Sequence, residues 1–220
     1  MDRIRDKIAI FPGYTLRERV ADGCIHIVGV TASLIALGAL LVIGVKSETT
    51  LWGVALLIYG LALVSMFSCS AGYHLIVRPR LKEVFRRLDH AAIFLMIAGT
   101  YTPFVLIKMN NAWGLTLLAV VWTIAIIGVV IKLFIPRFLE GLTVALYLLQ
   151  GWAVLAAWHP LVTSVPGAGI ALLIGGGVLY TIGVVFHLWE RLPYQNAIWH
   201  GFVLTAASCH FAAVIFVVSV

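Results

Sequence analysis

Residues 113–134 read WGLTLLAVVWTIAIIGVVIKLF, twenty-two positions whose one charge, Lys132, comes near the end. Wound as an α-helix, the stretch rises about 33 Å, which matches the roughly 30 Å hydrocarbon core of a bilayer. Working outward, six more runs of the same kind appear at 24–45, 51–74, 90–107, 142–158, 167–188 and 197–220. Together they occupy most of the 220 residues, so no room is left for a separate soluble domain. The composition agrees: 62% of residues are hydrophobic, 11% are charged and the mean hydropathy is +1.07, well outside the range of soluble domains. The expected fold is all-α, a polytopic membrane protein built as a seven-transmembrane-helix bundle (24–220) behind an N-terminal segment (1–23). The fifth run is short and stops at Pro160, which leaves a six-helix reading open.

The N-terminal segment carries Arg3, Arg5, Lys7, Arg17 and Arg19, with no apolar core followed by a small-residue cleavage site, so no removable signal peptide is expected. Pro12-Gly13 interrupts it, and residues 14–19 are expected to form a short interfacial helix suited to an anionic lipid surface. The remaining basic residues set the orientation. Arg78, Arg80, Lys82, Arg86, Arg87, Lys132, Arg137 and Arg191 fall on the same side as the N-terminus, against Lys46 and Lys108 on the other. That split places the N-terminus in the cytoplasm and the C-terminus outside. The net charge of +6 is then a consequence of the bias, and no nucleic-acid partner is expected.

His26, His74, Asp89 and His200 each fall at the same end of a different apolar segment, the end assigned to the cytoplasm. One such group is readily a helix cap or a snorkelling side chain; several at one depth form a functional-site candidate, because ionisable groups in a membrane helix are costly. Ser70 and His74 stand at i and i+4, as do Asn196 and His200, so each pair shares a helix face. Imidazoles and a carboxylate gathered around an open position are what a catalytic zinc requires. The other histidines rank lower: His90 as a hydrogen-bonding neighbour, His210 as a donor inside the bundle some 15 Å deeper than His200, His159 as a loop residue and His187 as an interface anchor. Cys24, Cys69 and Cys209 have no paired spacing and read as packing residues. Gly175-Gly176-Gly177 and Gly183 let a neighbouring helix approach, and Tyr101-Thr102-Pro103 reads as a kink whose freed carbonyls are met by threonine hydroxyls or neighbours.

Three motifs, in order, carry a resemblance: Ser70-xxx-His74; Leu88-Asp89-His90 running into Ala98-Gly99-Thr100-Tyr101-Thr102-Pro103-Phe104; and Ala197-Ile198-Trp199-His200-Gly201-Phe202-Val203-Leu204 with His210-Phe211 beyond. From about Glu18 to the C-terminus the chain resembles the bacterial hemolysin III proteins of the progestin and adiponectin receptor superfamily. The resemblance implies a seven-helix bundle with a cytoplasmic N-terminus, in a bacterial inner (plasma) membrane. It also implies zinc near the cytoplasmic face, held by His74, His200 and the position four before it, with Asp89 acting through water. Asn196 occupies that position, where the family pattern has histidine, and an amide oxygen is a poor zinc ligand. Arg19 and Asp22 stand in the glutamate and asparagine places of the first-helix pattern while His26 is kept, so Asp22 adds a carboxylate one turn from His26, and both are expected to line the site.

Two functions follow. One is a zinc-dependent hydrolase of a lipid amide or ester, in which Asp89 orients a water or takes its proton and Ser70 supports the site or the oxyanion. The other is a non-catalytic protein of membrane homeostasis that senses or tunes membrane lipids, with any metal tying helices together. A pore-forming cytolysin follows from the family name alone. Oligomeric state is not legible from the sequence.

Overall fold

Thr15 and Glu18 form a reciprocal capping box: the Glu18 carboxylate accepts from Thr15 N at 2.7 Å, and Glu18 N donates to the Thr15 hydroxyl at 3.3 Å. Those bonds satisfy donors that a helix start leaves unpaired, so the first helix of the computed structural model, α1, runs unbroken from Leu16 to Val45. The model describes residues 14–47, 49–135 and 140–219. Residues 16–19 are therefore the first turn of the first long helix rather than a separate interfacial helix. Pro12-Gly13 and the basic residues Arg3, Arg5, Lys7 and Arg137 lie outside the described residues.

The chain continues through α2 (Thr50–Leu75), α3 (Pro79–Pro103), a π-helical turn (Phe104–Lys108), α4 (Ala112–Phe134), α5 (Glu140–Trp152), a 3-10 segment (Ala153–Ala157), α6 (Trp158–Ser164), α7 (Gly167–Leu188) and α8 (Gln195–Ser219). No strand occurs among the described residues. Seven of the resulting rods are long and apolar enough to cross a membrane, the fifth being Gly141–Ser164. Pro160 does not end that rod, because it sits in the first turn of α6, where its missing N–H is not needed. The chain is a multi-pass membrane protein of seven candidate spans.

Both irregular turns have local causes. Pro103 can give no hydrogen bond back to Gly99, and the helix answers with the π turn, closed where Met109 N donates to the carbonyls of Phe104 and Val105, both at 3.1 Å. The hydroxyls of Thr100 and Thr102 bond Met96 O and Ala98 O, each at 2.9 Å. The break after α5 is organised by Tyr101, whose hydroxyl donates to Gly151 O at 2.7 Å, lies 3.0 Å from Gln150 O, and accepts from Val154 N at 2.9 Å. In lipid nothing else would satisfy these backbone groups. Tyr101→Phe is expected to lower stability by about 2 kcal/mol, read as a lower unfolding midpoint in detergent.

Helix α3 is the central rod, with 61% of its most apolar stretch buried against 17% for the Gly141–Ser164 and Gly167–Leu188 spans. α1 packs on α2 and α8, α2 on α3, α3 on α4, and α7 on α8. Outward faces carry apolar side chains such as Ile35, Ile126 and Val185, as a lipid-facing surface requires. The backbones of α1 and α2 approach closely where Gly44 and Gly53 meet: a Cβ on Gly44 would lie 3.1 Å from the Gly53 Cα. In α7, Gly176 faces His210 and Gly183 faces Trp199 and Phe202, both on α8, whereas Gly175 faces open space. α5 and α6 touch the rest of the bundle sparsely, and between them and α3, α7 and α8 a cavity remains.

Candidate metal centre

Helix direction brings the site together. The N-terminal part of α1, the C-terminal end of α2 and the N-terminal part of α8 lie at one end of the bundle. Two contacts pin this end: Tyr194 N donates to Glu18 at 2.9 Å, and the Tyr14 hydroxyl donates to the Gln195 side-chain oxygen at 3.1 Å. Gln195 in turn donates to His187 O at 2.7 Å, tying α8 to α7. Tyr194 turns the chain into α8 with a φ of 59°, a left-handed conformation uncommon outside glycine.

At the centre is Asp22, 8% exposed. One of its oxygens accepts from His200 Nδ1 at 2.6 Å; the other lies 3.2 Å from His74 Nδ1 and 3.5 Å from His26 Nε2. The three imidazoles crowd round it, with ring centroids 4.4 to 5.0 Å apart. One ligand atom from each of the four residues can be chosen so that all lie within 4.8 Å of one another. His26 Nε2 is buried and has no hydrogen-bond partner among the described residues, since at 3.5 Å its approach to Asp22 is close without the alignment of a bond.

This donor set fits a divalent cation. Neutral imidazoles and a carboxylate are standard zinc ligands, and a carboxylate buried among imidazoles is costly to desolvate unless a positive charge shares the space. The unpartnered His26 nitrogen is likewise explained by a missing acceptor of its lone pair. His26, His74, Asp22 and His200 would hold the ion; its identity is not fixed by these atoms.

Asp89 is not among the four; it lines a cavity of about 1140 Å³ onto which His74 and His200 also open, together with His90 and His187. Asn196 lines that cavity and a smaller one of about 170 Å³ that Asp22 and His74 also line. Ser70 is buried one turn before His74 and is not among the residues lining either cavity. His90 Nδ1 lies 2.6 Å from Arg86 O and His210 Nε2 lies 3.2 Å from Leu173 O; His159 is exposed.

Sequence reasoning placed Asp22 at the margin of the site, whereas it is the one residue touching all three imidazoles. The signal was the Asp22–His26 pair at i and i+4. Nothing in the sequence showed that the carboxylate of α1 would reach between α2 and α8. Asn196 adjoins the cluster, so Asn196→His is expected to add an imidazole and tighten zinc by at least about ten-fold. A chelator titration reads this directly, and unchanged retention would place position 196 outside ligand reach.

Residues 14–211 match the family described as Haemolysin-III related. The chain is 40% identical to Hemolysin-3 of Bacillus cereus over 92% of its own length and 93% of that protein's. It is 36% identical to the Hemolysin-3 homolog of Bacillus subtilis (strain 168), over 92% of this chain and 95% of that one. A more distant similarity, 28% over 71% of this chain and 67% of the other, is to the human Monocyte to macrophage differentiation factor. The chain therefore belongs to the Haemolysin-III related family.

Proposed function

We propose that this protein is a zinc-dependent hydrolase of a lipid amide or ester, working at the cytoplasmic face of a bacterial inner membrane in the upkeep of membrane lipids. The observation that carries the reading is that His74 and His200, two members of the Asp22–His26–His74–His200 cluster, line one large, mainly apolar cavity. Its lining includes the apolar Ile97, Met109, Leu161 and Ile174, and Lys82 and Arg191 from the segments at the cluster's end of the bundle. Its volume of about 1140 Å³ is at the upper end of ordinary ligand pockets.

Zinc bound at the cluster supplies a Lewis acid that polarises a carbonyl and lowers the pKa of water. The chain's own side chains do the rest. The apolar wall holds an acyl chain and excludes bulk water, while Lys82 and Arg191 meet a polar or anionic head. Asp89, on the cavity wall beside the cluster, accepts a proton from the attacking water and returns it to the leaving group. Hydrolysis of fluorogenic lipid amides and esters by purified protein, compared with His200→Ala and Asp89→Asn, tests the reaction. Activity unchanged in both variants would remove this mechanism.

A second reading has an observation of its own. Four protein donors from three helices would suffice to fill a four-coordinate zinc shell, and closed shells are the mark of structural sites. The metal then staples α1 to α2 and α8 in a non-catalytic lipid-sensing protein. X-ray absorption at the zinc edge separates the two, because the enzyme requires a non-protein oxygen on the ion. Pore formation has only the name of the relatives behind it.

The cytoplasmic placement rests on charge. Among the described residues, Arg17, Arg19, Arg78, Arg80, Lys82, Arg86, Arg87, Lys132 and Arg191 lie at the cluster's end of the bundle, against Lys46 and Lys108 at the other. Reporter fusions are expected to show the N-terminus inside and the C-terminus outside. Both ends on one side would remove the depth argument.

A further inference from the structure

The deep part of the cavity carries a polar pair that the hydrolytic reading leaves unused. His210 follows His200 by ten residues on α8, about 15 Å along the helix, and lines the same cavity. Its Nε2 lies 3.2 Å from the carbonyl of Leu173. A carbonyl only accepts, so Nε2 carries the proton and Nδ1 is left as an acceptor. Gly176 vacates the space for this ring: a Cβ there would come within 2.3 Å of it. Tyr180, four residues further along α7, places its ring centroid 5.5 Å from the imidazole and also lines the cavity. On α2, Tyr59 is fully buried and its hydroxyl has no hydrogen-bond partner among the described residues.

Phenol and imidazole groups in an apolar-walled cavity this far from the bundle's end are costly unless something bonds to them. We propose that His210 and Tyr180 form a subsite for a hydroxyl group carried part-way along the acyl chain of the bound lipid. The inference rests on the reading of the cavity as a lipid site. A hydroxyl fits both partners at once, donating to His210 Nδ1 and accepting from the Tyr180 phenol. A carbonyl would meet only Tyr180, and an unsubstituted chain would leave both groups desolvated and unpaired. The helical separation from His200 puts the hydroxyl in the distal part of a long chain, away from the carboxyl end at the metal cluster.

The test is equilibrium competition against radiolabelled oleate on the purified full-length protein in detergent, using ricinoleate, oleate and alpha-hydroxystearate. Ricinoleate is oleate with one mid-chain hydroxyl; alpha-hydroxystearate carries its hydroxyl beside the carboxylate. Ricinoleate is expected to bind about ten-fold more tightly than oleate, and alpha-hydroxystearate to gain nothing. Tyr180→Phe removes the oxygen that oleate leaves unpaired, so it should erase most of the preference without weakening oleate. His210→Leu should do the same, with the unfolding midpoint as a check on folding. Equal binding of ricinoleate and oleate, unaffected by Tyr180→Phe, would mean that water satisfies the pair and would overturn the subsite while sparing the lipid cavity. Absence of binding by all three acids would overturn the lipid reading of the cavity itself.

Discussion

Asp22→Ala is expected to lose zinc at a chelator concentration at least about 100-fold below that needed for the unaltered protein. Changes to groups that merely orient metal ligands shift affinity roughly 10–100-fold, and Asp22 does more than orient. It supplies the one carboxylate of the cluster, hydrogen-bonds His200 at 2.6 Å and approaches His74 and His26 within 3.5 Å. Its removal leaves three imidazoles with neither a negative ligand nor a shared acceptor. Because the cluster joins α1, α2 and α8, metal loss should also lower the unfolding midpoint, by the linkage that binding only the folded state confers. His159→Ala, at an exposed position, serves as the control. Zinc retained by Asp22→Ala as tightly as by that control would show that Asp22 organises the rings without touching an ion.

Gly114→Ala should be the most damaging single methyl addition in the bundle, costing about 3 kcal/mol or more. A Cβ at this position would lie 2.0 Å from the carbonyl oxygen of Met109 and 3.1 Å from its carbonyl carbon. Those are backbone atoms, and they cannot move alone. Met109 closes the π turn through its N–H, is 1% exposed, and lines the cavity. Two residues later Asn111 caps α4 by accepting from Gly114 N at 3.0 Å. Relief of the clash therefore disturbs the cap, the π turn or the cavity wall. Thermal unfolding in detergent and oleate binding should both suffer. A variant with an unchanged unfolding midpoint would show that the connection between α3 and α4 is looser than its hydrogen bonds imply.

The spans were legible because crossing a bilayer is a one-dimensional requirement: enough consecutive apolar residues, with every backbone polar group satisfied inside the helix. Residues 113–134 met it almost as written, against the observed Ala112–Phe134. Where boundaries moved, local chemistry outweighed hydropathy. The Thr15–Glu18 box carried α1 back to Leu16, and α3 began at Pro79 on a stretch rich in Arg, Lys and Glu. Pro160 looked like an end and was an interior beginning, because a proline in a first helical turn breaks no bond.

The site was legible in outline for the same reason. Alternating helix direction puts His26, His74 and His200 at one end of the bundle once seven spans are counted, without knowledge of how the helices pack. Depth does not decide which side chains touch. The rotation of each helix about its axis and the order of neighbours around the bundle do, and neither leaves a mark that can be read in a single chain. So the sequence by itself determined an all-helical membrane protein with imidazoles and carboxylates gathered at one level, while the fifth span past Pro160 was decided by the structure. Only the tertiary structure decided that Asp22 sits among the three histidines, that Asp89 and Asn196 line the cavity that His74 and His200 also line, and that His210 and Tyr180 meet in that same cavity. Those contacts depend on α1 packing against both α2 and α8 and on Gly176 yielding space to a ring on the next helix, which are properties of helix faces in contact rather than of any segment alone.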